Sequence, residues 1–207
     1  MWSDLLDRIG AATESIIAPI AEVIGPEAVS WGWAVLLLGA GWRVLTWPWL
    51  VRGAERRIER QRDPAAPKPP RGWFERVGTV FTVAQILVVV TIALWSRTGP
   101  AADEAAFYGL RTLSSSPATQ GPGGLAWAAA LTLAGTVVGL LALRASGVDD
   151  PRQRFFARYM APVIFAGLGL FLPAAMVVPF TTTMAMNVAA VQWAAARLPR
   201  VREEVPA

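Results

Sequence analysis

The stretch Trp31 to Arg52, WGWAVLLLGAGWRVLTWPWLVR, constrains this chain more than any other. It is a run of about twenty mostly apolar residues, the length a helix needs to cross a bilayer. One full charge, Arg43, sits inside it. A charge at that depth costs roughly 2.5–3.5 kcal/mol on insertion scales, so an arginine there marks a functional site and calls for polar company. Pro48 follows just over one turn later. It has no N–H to give the carbonyl of Val44, so a kink or turn, or a hydrated stretch of helix, is expected below Arg43.

Composition says what kind of molecule carries this stretch. The chain is 54% hydrophobic and 16% charged, against about 25% charged in a soluble domain. Cys and His are both absent. That removes thiol nucleophiles, imidazole bases and the usual zinc and haem ligands, so no metal, no cofactor and no enzymatic chemistry is expected. The net charge of +4 and the pI near 10.6 do not point to nucleic acid. The basic residues flank apolar runs, where membrane topology calls for them.

Five such runs are expected as transmembrane helices, at about 31–51, 79–95, 124–143, 157–172 and 175–196. The last two form one apolar stretch. As a single helix from Ala161 to Ala196 it would be about 54 Å long against a hydrocarbon core of about 30 Å, so it folds back, with Pro173 at the corner. Residues 1–30 lack the basic-then-apolar order of a secretory signal. Leu5, Leu6, Ile9, Ala12, Ile16, Ile17, Ile20 and Ile24 recur at helical spacing with acids between them. This is an amphipathic helix, lying in the interface or packed on the spans. The segment 52–78 reads as a solvated basic loop that fixes topology; its start can continue the helix, and Pro64, Pro67, Pro69 and Pro70 then break it. Within the polar segment 96–123, Ala102 to Leu113 reads as a short helix. The expected division is an N-terminal helix at 1–30, a five-span core at 31–197 and a polar tail at 198–207.

Lys and Arg set the orientation. Fifteen lie on the side of loop 52–78, loop 144–158 and the tail, and three on the other side. The N-terminus is therefore expected outside and the C-terminus in the cytoplasm. Every Asp and Glu lies outside the five spans, so Arg43 has no carboxylate of its own chain at its depth. Proton relays and ion-coupled pumps are built on such carboxylates, which counts against a transporter.

Depth picks out other company for Arg43. Gln85 lies in span two with Thr82 one turn away, Thr136 in span three with Thr132, and Asn187 in span five with Thr183. Counted at 1.5 Å per residue from the cytoplasmic ends, all sit in the inner half of the membrane. The outer halves are apolar. The pattern suggests a polar pocket, open to the cytoplasm and sealed outside. Taken singly, each Thr can instead bond its own helix backbone, and Gln or Asn can link two helices.

Two stretches resemble the YidC/Oxa/Alb membrane protein insertase superfamily. WGWAVLLLGAGWRVLTWPWLVRGAERR is similar to that family's first core span, with Arg43 on the groove arginine and Pro48 on the family proline. RYMAPVIFAGLGLFLPAAMVVPFTTTMAMNVAAVQ resembles its paired last spans, with a Pro-Ala turn between them. The five-span plan behind an amphipathic helix is similar too. The chain is short and divergent: its first cytoplasmic loop is Pro-broken where the family has a helical hairpin, and its tail has few basic residues. The resemblance implies an insertase or chaperone of the bacterial plasma membrane. Short polar tails would cross through a hydrophilic groove, and spans three and five would offer an apolar surface to the substrate's own span. The partners implied are nascent membrane proteins and membrane lipids, with the Sec translocon and the ribosome beside them. The rival readings are a scaffold or assembly subunit that inserts nothing, and a small channel or transporter.

Overall fold

The structure is a computed structural model that describes residues 2–63, 72–147 and 151–198. Among these the protein is helical, with no strand, and five helices are long and apolar enough to cross a membrane. The proline-rich segment 64–71, loop residues 148–150 and the tail from 199 lie outside the described residues, as does the side chain of Thr82.

The helix α1, Trp2–Ile24, is amphipathic, and one stripe of it packs on the spans. Thr13, Ile17 and Ala21 are buried on that stripe, while Leu5, Leu6, Ile16 and Val23 stay exposed. Glu14 accepts the indole N–H of the fully buried Trp95 at 3.1 Å. A buried Trp needs such a partner, so an acid of the polar pattern doubles as an anchor.

The first span departs from expectation. It is not one kinked helix over 31–51 but two helices, α2 at Ala28–Leu45 and α3 at Trp47–Arg62. Pro48 occupies the first turn of α3, where a missing N–H costs nothing. Carried on as α2, its ring would clash with the carbonyl of Val44. Thr46 takes up the break, with its hydroxyl donating to the Trp42 carbonyl at 2.8 Å. Its own carbonyl accepts from the N–H groups of Trp49 and Leu50.

The start of the basic segment does continue the helix, from Arg52 to Arg62, because Val51, Ala54 and Ile58 recur at helical spacing and are buried; this part is not solvated loop. Ala54 and Ile58 pack against Ala142, Val191 and Ala194. The far end of α3 is tied down as well. Gln61 donates to the Gln153 side chain at 3.1 Å, and Arg62 donates to the Ala145 carbonyl at 2.9 Å.

The second span is α4, Trp73–Thr98, longer at both ends than expected. The short helix expected over 102–113 is instead α5, Pro100–Glu104, followed by a turn at Phe107–Leu110. Gly109 takes φ +79 there, a left-handed conformation that ends any helix. This segment is a built cap. Gln120 is buried, its Oε1 accepts the N–H groups of Arg111 (2.7 Å) and Thr112 (3.2 Å), and its Nε2 donates to the carbonyls of Thr112 (2.9 Å) and Ser115 (3.1 Å).

The third span, α6, runs Pro122–Ser146 and stops at Gly147 in the left-handed region. The fourth covers Pro151–Phe171 as α7 (Pro151–Phe155), a π turn (Phe156–Met160) and α8 (Ala161–Phe171). The wide turn accommodates Pro162, which cannot continue an ordinary hydrogen-bond ladder. Pro173 stands at the corner before the fifth span, α9, Ala174–Arg197. The cap supplies acceptors to the start of α9: the N–H of Ala174 bonds Ser115 and that of Ala175 bonds Leu113.

Helix α9 is the most buried of the five spans and packs on α2, α3, α4 and α6, while α8 lies on the other side of α6. One end of the bundle is closed by a core of Ile17, Val35, Ile92, Trp95, Phe107, Leu113 and Val178, which joins α1, α2, α4, α9 and the cap. The small cluster around Ile58 lies toward the other end. Between the two lies the space described next.

Candidate functional site

Arg43 is in the last turn of α2 and half-buried, three residues before the Thr46 break. Its Nε donates to the Thr183 hydroxyl of α9 in a long contact at 3.5 Å. Thr183 itself is buried. One turn back along each helix, Gly39 and Pro179 bring α2 and α9 together. A Cβ on Gly39 would stand 2.9 Å from the Pro179 Cβ. No side chain larger than hydrogen fits between the helices there. The close approach holds α2 and α9 together one turn from Arg43 and Thr183.

Below Arg43 the helices part around a cavity of about 460 Å³. Arg43 and Thr46 enter it from α2 and its break, Gln85 from α4, Val138 from α6 and Asn187 from α9. The widest share comes from α3, which contributes Arg52, Arg56, Arg57 and Arg60. Arg52, Gly53, Arg57 and Arg60 are exposed, so the cavity communicates with solvent at this end. Among the described residues, five arginines and no Asp or Glu line it. Among the described residues no group of His, Cys, Asp and Glu could hold a metal ion.

The residues singled out by depth are thus placed as follows. Arg43, Gln85 and Asn187 share the cavity, and Thr183 touches it through Arg43. The Asn187 amide also donates to the Met184 sulfur one turn back, at 3.7 Å. Thr136 is at the right height but off the wall. Its hydroxyl donates to the Thr132 carbonyl at 2.7 Å, and that of Thr132 donates to Ala128 at 2.8 Å. Val138, two residues on, takes the cavity position. Two residues are about 200° of helix rotation, so a helix that turns Val138 inward turns Thr136 away. Counting depth fixes height and leaves rotation open. Thr136→Val is therefore expected to leave any activity of the cavity within about twofold of wild type, since the lost bond is local to α6. Loss of activity in that variant, with the fold intact, would put Thr136 back on the wall.

The arginines of α3 were missed by counting charges in a loop. Their signal is present in the sequence: Arg52, Arg56 and Arg60 recur every four residues, in step with Val51, Ala54 and Ile58. Residues four apart share one helix face. That rhythm distinguishes a basic helix with a buried side from a solvated tether.

Compared with family models, with curated proteins and with solved structures, the chain matches none.

Proposed function

We propose that this protein is a membrane protein insertase of the YidC/Oxa/Alb type, in the bacterial plasma membrane with its N-terminus outside and its C-terminus in the cytoplasm. The observation that carries the reading is the convergence of Arg43, Gln85 and Asn187, from three separate spans, on one basic cavity closed at its far end. The arginine-rich end is the cytoplasmic one by the positive-inside rule. An acidic or polar tail of a nascent chain enters there, drawn by the field of the lining arginines. It is held part-way across by Arg43, where the lower dielectric strengthens attraction. Water in the inner half shortens the apolar barrier that the tail has left to cross. The substrate's own apolar span stays with the lipid and the apolar faces of α6 and α9. No bond is made or broken.

A channel would need a path through the end that Val35, Ile92 and Val178 pack shut, with the Gly39–Pro179 contact beneath it. Reconstitution in liposomes tests the proposal. A short single-span substrate with an acidic outer tail is expected to become protected from added protease only in vesicles that hold the protein. Folded protein that protects no tail would overturn insertion and favour a scaffold. Ion flux without protection would favour a channel.

A further inference from the structure

We infer that the half of α4 that walls the cavity is a side door. It swings on a hinge at the other end of the helix, and a clasp centred on Phe81 holds it shut. The door gives a cargo's apolar span its way from the cavity to the lipid. That use rests on the insertase reading, whereas the motion does not.

Three observations carry it. First, α4 is packed at one end. Ile92, Trp95 and Ser96 are buried. Trp95 stacks on Trp31 with ring centroids 5.9 Å apart, and its N–H donates to Glu14 at 3.1 Å. Gly10 of α1 lies against Thr98. By contrast, no described side chain from Arg76 to Thr91 is buried. Among the described residues α4 is the least buried of the five spans. Elements that move are drawn from such thinly packed regions, and a hinge sits where the packing begins. Second, the thinly packed half is cavity wall. Gly78, Thr79, Phe81 and Gln85 line the cavity. The opposite side of the helix carries Val80, Val83, Leu87 and Val90, all exposed. Lipid tails are as apolar as those side chains, so a swing trades lipid contact for lipid contact on that side. Third, rings clasp this half to α2 and α3. Phe81 lies 5.7 Å from Trp42 of α2 and 4.7 Å from Trp49 of α3, between ring centroids. Gly78 seats the same Trp49: a Cβ there would stand 3.1 Å from the indole. Contacts between rings are each modest, so a clasp built on them can release.

The chain has no cysteine, so introduced thiols report without background. Spin labels on the full chain in liposomes, without substrate, test the motion. Val80→Cys with Leu140→Cys is expected to give a short and a long distance. Arg97→Cys with Leu125→Cys, at the hinge end, is expected to give a single one. Phe81→Leu added to the first pair should raise the share of the long distance about threefold or more. If that variant does not fold, Trp49→Leu is read in the same way. A single distance between Val80 and Leu140, or a share that loss of the ring leaves unchanged, would overturn the door whatever the protein inserts. A bridge tests the use. Trp49→Cys with Gly78→Cys, oxidised, should slow protection of an acidic tail about tenfold, with recovery on reduction. Gly10→Cys with Thr98→Cys, bridged at the hinge, should stay within about twofold of its reduced form. Equal protection by the bridged and reduced door would overturn it as the cargo's route and leave the insertase reading standing. Both distances with no protection by any form would overturn the insertase reading and leave the motion standing.

Discussion

Arg43→Leu is expected to slow the transfer of an acidic tail about tenfold or more while leaving the fold intact. Two unit charges 4 Å apart interact by about 4 kcal/mol at an effective dielectric of 20. If only about 1.4 kcal/mol of that survives solvent and motion, the effect is already tenfold. The fold should tolerate the change, because Leu removes a charge that costs roughly 2.5–3.5 kcal/mol to bury. What it loses on the protein side is one long contact to Thr183. Protease protection of the tail in liposomes is the readout. The substrate supplies the control. A tail with its acids replaced by Asn should cross equally well with wild type and variant. The same drop for both tails would show that Arg43 shapes the cavity and does not attract cargo. Arg43→Lys should fall between, since it keeps the charge without the fork.

The second large effect lies at the opposite end of the molecule. Gln120→Ala is expected to destabilise the protein by about 2–6 kcal/mol, since it removes the partner of four part-buried backbone hydrogen bonds at about 0.5–1.5 kcal/mol each. Four hydrogen bonds go at once, two accepted from the N–H groups of Arg111 and Thr112 and two donated to the carbonyls of Thr112 and Ser115. The same cap supplies Leu113 and Ser115 to the start of α9, so the damage spreads to the central helix. A lowered unfolding midpoint and new proteolysis between residues 105 and 121 are the measurements. A midpoint within a degree of wild type would mean that the cap does not hold the closed end together. Gln120→Glu should fall between, keeping the acceptor and losing the donor.

The helices themselves were legible because long apolar runs have few ways to fold. The corner at Pro173 was legible for a similar reason: one straight helix from Ala161 to Ala196 is far too long for a bilayer. Arg43 stood out through its cost. Three things were not legible. Rotation about a helix axis does not show in a run that is apolar all round, which is why Thr136 was counted with residues it does not join. The Thr46 break is not legible, since Pro48 alone does not say whether a helix bends or restarts. The cap was read as a helix because Ala102 to Leu113 has the composition for one. Its form comes from contacts far along the chain, with Gln120 on one side and the start of α9 on the other.

The helix α3 is supported at both ends, like a beam on two piers. Thr46 holds the near end, and the ties to Ala145 and Gln153 hold the far end. The rungs that carry its charges are therefore spaced by the helical repeat, about 6 Å from Arg52 to Arg56 and again to Arg60. That spacing is set when the chain folds and does not wait for an occupant. A floppy basic tether would have to be gathered around an anion each time one arrived, losing conformational entropy at every encounter. A beam has already lost it. Whatever enters the cavity meets a ruler of fixed divisions, and anions whose charges fall on other divisions are left with fewer partners.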